Sequence, residues 1–117
     1  MKFSESLKKN YEFRRLYSRG KSAALPVLVI YCRKTGSPTN RLGITVTTKL
    51  GKAVQRNRVR RRLKEIYRTN EYRLKRGFDV VLVARVKSRY TSYFELEKAF
   101  LEICGKLGIL KSDGEMK

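Results

Sequence analysis

The 117-residue chain has no histidine and no tryptophan, only two cysteines, two prolines and ten acidic residues. Each shortage closes a class of chemistry. Without histidine there is no Ser-His-Asp or Cys-His nucleophile system and no imidazole metal ligand. Cys32 and Cys104 are 72 positions apart with no CxxC pair, so a zinc finger is excluded. Free thiols are expected rather than a disulfide. The first residues, MKFSESLKKN, lack the apolar core of a secretory signal. The longest apolar stretch, Ala23 to Cys32, contains Pro26 and is far short of the roughly 20 residues that a membrane span needs.

What is abundant is positive charge. Twenty-nine Lys and Arg give a formal net charge of +19. A body this small at that charge repels itself and favours a polyanion, either nucleic acid or an anionic membrane surface. At 41% hydrophobic residues it can still build one modest core, which excludes a wholly disordered polycation. One domain spanning 1–117 is expected, ordered over about 5–110, with a frayed polar tail from Lys111 to Lys117.

The hydrophobic pattern predicts an α+β fold in the order αβββαβα, helices packed on a central sheet. Asn10 is a candidate cap for a first helix, with Phe13, Leu16 and Tyr17 on one face and Gly20 as a left-handed stop. Pro26 is expected at a strand start or edge. From Val27 the residues alternate, with Val29, Tyr31 and Arg33 on one side and Leu28, Ile30 and Cys32 on the other. Leu42 to Thr48 is a further strand. Val59, Leu63, Ile66 and Tyr67 mark a second amphipathic helix. Phe78 to Val86 is nearly all apolar and predicts a strand buried on both faces. Leu96, Phe100, Ile103 and Leu107 mark the last helix.

The charge is concentrated. Lys49 to Lys64 holds eight basic residues and no acid, partly in loop and partly in a helix that also packs the core. Arginine forks pair with phosphate and stack on bases, so an arginine-heavy face suits RNA. Free N–H groups at the start of that helix add affinity for anions. A structural RNA-binding protein of ribosomal or assembly type fits the size, charge and pattern. A DNA-compacting protein and a membrane-surface binder fit less well, the latter because the core needs the apolar stripe of the basic helix.

Residues 43–65 narrow the choice. The run Gly51, Ala53, Val54, Arg56-Asn57-Arg58, Arg60 and Arg61, following a β-like segment, resembles the signature of the bacterial ribonuclease P protein subunit. Thr47-Thr48-Lys49 stands where that family has Ser-Lys-Lys, and three successive arginines, Arg60 to Arg62, follow. Asn10 to Phe13, Tyr31 and Val80 to Arg85 extend the likeness over about residues 5–108. The resemblance implies a left-handed βαβ crossover around the basic helix, as in the second domain of a small-subunit ribosomal protein. It also implies a cytoplasmic subunit of an RNA-based endonuclease that removes the 5′ leader of precursor tRNA. Catalysis would lie in the RNA, using Mg²⁺ held mainly by that RNA. The protein would have no catalytic residue, no metal of its own and no obligate protein partner. Lys49, Lys52, Arg56, Asn57, Arg58, Arg60, Arg61, Arg62 and Lys64 would bind the catalytic RNA. Phe13, Tyr17, Val29, Tyr31 and Arg33 would line a cleft for the leader. Exposed aromatics suit that task because they stack on single-stranded bases of any sequence. Packing in the core is the competing reading for the same side chains.

Overall fold

In the computed structural model, residues 4–112 and 114 are described. Five strands, β1 (Ser4–Ser6), β2 (Lys21–Leu25), β3 (Leu28–Lys34), β4 (Asn40–Val46) and β5 (Phe78–Ala84), form one sheet in the order β1-β4-β5-β3-β2. Three helices, α1 (Asn10–Arg19), α2 (Ala53–Asn70) and α3 (Tyr93–Leu107), cover it. β1, β4 and β5 run parallel, and β3 and β2 run antiparallel to their neighbours. The parallel β4 and β5 are joined through α2, as a crossover requires. β5 is the central strand and is buried along most of its length, in keeping with its unbroken apolar run.

Strand alternation sorts the side chains into two layers. Leu28, Ile30, Cys32, Val80 and Leu82 face the main core, which α2 closes with Val59, Leu63, Ile66 and Tyr67 and α3 with Leu96, Phe100 and Ile103. Burying each such side chain contributes about 1.5–3 kcal/mol. The opposite face carries a smaller cluster, Leu7, Leu16 and Val81, packed with Phe13, Tyr31 and Val83. Of the described helices, α1 alone shelters this face. Cys32 and Cys104 are free, buried thiols, and burial together with the nearby Cys32 pushes Cys104 up to about 12. No helix among the described residues is long and apolar enough to cross a membrane.

Several local expectations are corrected. Asn10 is the first residue of α1 rather than its cap; Lys9 holds the cap position with no side-chain bond. Gly20 is extended (φ −78°), not left-handed. Its missing side chain matters for another reason: a Cβ there would lie 2.6 Å from the Leu16 carbonyl oxygen and 2.9 Å from that of Cys32. Pro26 and Val27 form the two-residue turn between β2 and β3, so the strand begins at Leu28. β1 was not foreseen. Its three polar residues gain order from parallel pairing with β4 and from a 2.7 Å bond between the Ser4 hydroxyl and the buried Tyr67 hydroxyl. In the polar tail, Lys111 donates its amide to the Arg73 carbonyl at 2.7 Å. Of the rest of the expected frayed stretch, residue 113 and residues 115–117 lie outside the described residues.

Candidate nucleic-acid interface

The basic segment begins in a tight turn. The Thr47 hydroxyl accepts the Lys49 amide at 3.3 Å, and a 3₁₀ turn follows at Thr48–Leu50. Gly51 then takes φ 154°, a conformation that side chains disfavour, and Arg89 Nη1 would lie 3.1 Å from any Cβ there. The same Arg89 nitrogen donates to the Leu50 carbonyl at 3.2 Å. Helix α2 starts with no side-chain cap and no acid in its first turn. Its free N–H groups therefore add to the positive field of Lys49 and Lys52 instead of being offset.

Helical periodicity then divides the nine residues assigned to the catalytic RNA. Lys49, Lys52, Asn57, Arg58, Arg60, Arg61 and Lys64 are exposed. Val54, Asn57, Arg60 and Arg61 line an open groove of about 450 Å³, and Arg60 donates to Asn57 Oδ1 at 3.1 Å. Arg56 and Arg62 are half-buried on the flanks of the apolar stripe. Arg62 donates to the Thr91 carbonyl at 3.3 Å, tying α2 to the segment before α3. The buried Arg56 Nε has no hydrogen-bond partner among the described residues.

The second surface lies on the other side of the sheet. The Phe13 ring sits on Gly43, where a Cβ would come within 2.5 Å of it, so the glycine in mid-strand makes room for an aromatic from α1. Tyr17, 41% exposed, meets Tyr31 edge-on with centroids 4.9 Å apart. Its hydroxyl pairs with Thr45 Oγ1 at 3.1 Å. Val29 and Tyr31 are in register with Val83 and Val81 on β5. Phe13, Tyr17 and Tyr31 therefore converge, while Val29 and Arg33 lie to either side of Tyr31 along the β3 row. Asn10, Arg14 and Thr45 join Phe13 and Tyr17 around a groove of about 360 Å³. Strand alternation puts Thr45 on the face opposite Leu42, Ile44 and Val46; Arg14 gave no signal beyond its charge.

An ionic network holds α1 over this surface. Arg41 on β4 grips Asp79 on β5 with two bonds, of 2.8 and 2.7 Å, and reaches Glu12 on α1 at 2.8 Å. Burial opposes charge on Glu12, but the hydrogen bond and charge of Arg41, with backbone bonds at Lys9 and Lys8, outweigh it and hold its pKa below the usual carboxylate value. The bonds to Asp79, against the cost of burial, raise Arg41 well above the ordinary guanidinium value. Asp79 is thus structural. Glu65 pairs with Arg68 one turn along α2. Among the described residues no three His, Cys, Asp or Glu side chains come together as a metal site. Glu12 and Asp79 share a cation already, so the Mg²⁺ that the resemblance implies does not fit these side chains.

A sheet with an arginine-studded helix on one side and an aromatic groove on the other fits an RNA-binding protein. The family model for ribonuclease P matches residues 1–108. The chain is 42% identical over 112 residues to the ribonuclease P protein component of Alkaliphilus oremlandii, covering 96% of this chain and 98% of that one. The solved RNase P protein from Thermotoga maritima superposes with TM-score 0.77 at 32% identity, over 84% of this chain and 93% of its own. The Staphylococcus aureus RNase P protein superposes with TM-score 0.78 at 25% identity, over 91% and 97%. The chain belongs to the ribonuclease P protein family. It is accordingly a subunit of the endoribonuclease of tRNA 5′ processing and a partner of ribonuclease P RNA.

Proposed function

We propose that the protein is a non-catalytic subunit whose RNA partner carries the active site and most of the Mg²⁺. The exposed residues of α2 and the turn before it dock on that RNA, and the groove between α1 and the sheet holds the single-stranded 5′ leader of precursor tRNA. The observation that carries this reading is the convergence of Phe13, Tyr17 and Tyr31 on a face separate from the arginines of α2. Neutralising phosphate lets two polyanions approach, and fixing the leader turns substrate binding into positioning. The protein works in the cytoplasm, where precursor tRNA is processed, and needs no second protein.

Reconstitution with a bacterial ribonuclease P RNA at low Mg²⁺ tests this. The protein should stimulate 5′ maturation, and no stimulation points instead to a structural RNA-binding role. Tyr31→Ala should weaken precursor binding about tenfold, within the range of one lost base stack, and leave mature tRNA unaffected. Equal loss for both ligands overturns the groove assignment.

A further inference from the structure

A cavity of about 310 Å³ opens where β3 ends and β5 begins. Five elements build it: the end of α1, the start of β2, the end of β3, the start of β5 and the C-terminus of α3. Cys32, Phe78 and Leu107 give it an apolar wall, and Arg19, Lys21, Arg33 and Lys34 surround it with positive charge. Among the described residues, no carboxylate lines it. None of the four cations makes an ion pair or a side-chain hydrogen bond among the described residues. The C-terminal end of α3 offsets only about half a charge, and the Gly108 amide already binds the carbonyls of Cys104 and Gly105 there.

Four like charges around one concavity repel each other until an anion enters. The volume is at the lower end of the range of small-ligand sites, about 300–1,000 Å³. An apolar wall beside a cationic rim matches a nucleotide, with its planar base inside and its phosphate at the rim. Inorganic phosphate would leave the apolar wall wet.

Position identifies the source. Val29, Tyr31 and Arg33 form one row along the open sheet face; Arg33 also lines this cavity, whose Lys21, Cys32, Lys34 and Phe78 belong to the opposite face, so a strand passes from groove to cavity around the end of the sheet. The row starts at the end of the sheet where β4 leads into α2, and it finishes at the opposite end. A strand lying in the groove with its reacting end near α2 leaves the groove at Arg33. We infer that this cavity binds a nucleotide of the 5′ leader that lies beyond the groove, farther from the cleavage site. The inference rests on the groove reading above.

The test measures precursor affinity in the reconstituted holoenzyme while the leader is lengthened one nucleotide at a time. Affinity should rise in two stages, first as the groove fills and again as the strand reaches the cavity. Lys34→Glu and Lys21→Ala/Lys34→Ala should remove the second stage, about tenfold for the loss of one phosphate site, and spare the first. Lys98→Glu, which makes the same charge change on exposed α3, should keep both stages. A loss equal at every leader length, or equal to that of Lys98→Glu, overturns the inference, as does no loss at all. The groove reading fails separately, if Tyr31→Ala leaves the first stage intact. A thiouridine in the outer leader should crosslink near Phe78; crosslinks confined to α2 speak against the cavity.

Discussion

Helices α2 and α3 pack on the same face of the same sheet, yet they are built on opposite rules. α3 follows local stability chemistry at both ends. The Ser92 hydroxyl caps it by accepting the Glu95 amide at 3.1 Å, Glu95 lies in its first turn, and Gly108 closes it in a left-handed conformation (φ 74°). Lys106 pairs with Glu102 one turn back. α2 has no side-chain cap and no first-turn acid, and Arg58, Arg60 and Arg61 crowd its exposed face. Both helices need their apolar stripe, so the difference lies in what is exposed. α3 spends its surface on its own stability, whereas α2 gives that up for a field that only a polyanion relieves.

The comparison can be broken at several points. The largest effect is expected for Arg58→Ala combined with Arg61→Ala. Affinity for the RNA subunit should fall about 10- to 100-fold, and the slope of log affinity against log salt should flatten by about two. Thermal stability of the free protein should hold or rise. An unchanged salt slope removes these arginines from the interface.

Removing the cap from α3 should act the other way round. Ser92→Ala is expected to cost about 1 kcal/mol in denaturant unfolding and leave RNA affinity unchanged. Giving α2 the acid that it lacks, by Ala53→Glu, should stabilise the free protein by about 0.3–1 kcal/mol while weakening RNA binding. If stability and affinity rise together in that variant, the trade-off between the two helices is wrong.

The smallest effect concerns the ionic network that seats α1. The folded protein binds a proton at Glu12 less readily than the unfolded chain does, because Arg41 favours the carboxylate. That stabilisation is complete above the unfolded value, about 4.3, and is lost as pH falls through the lower folded value. Melting temperatures of the wild type and of Glu12→Gln should therefore converge as pH drops from 6 to 3. Parallel curves would show that the network adds nothing.

How much of this was legible in the sequence depended on the range of the contacts. The stripe of α2, the buried run of β5 and the Phe13–Tyr17 and Val29–Tyr31–Arg33 faces follow from periodicity within one element. The basic segment and its Arg56-Asn57-Arg58 signature were equally local. β1 was invisible because its three polar residues have no strand pattern and depend on β4 for partners. The Arg41–Asp79 pair spans 38 positions and meets only because sheet register places the two side by side. Arg19 and Lys21 are near neighbours in the sequence, but nothing in it marked Lys34, on another strand, as joining them. Gly20 carried a correct signal for the wrong reason: two carbonyls leave no room for a side chain, and no left-handed turn is involved.

The place of β5 at the centre of the sheet sets the order in which the protein can be made. β3 and β4 flank it on either side and do not pair with each other. During synthesis the sheet stays open until residue 84 has left the ribosome. By residue 76 the chain already carries a net charge of +18, because residues 77–117 add only +1. Nearly all the charge is thus translated before the strand that completes the fold. For that interval the nascent chain is a polycation with an incomplete sheet, and the last third supplies both the missing strand and the least basic helix.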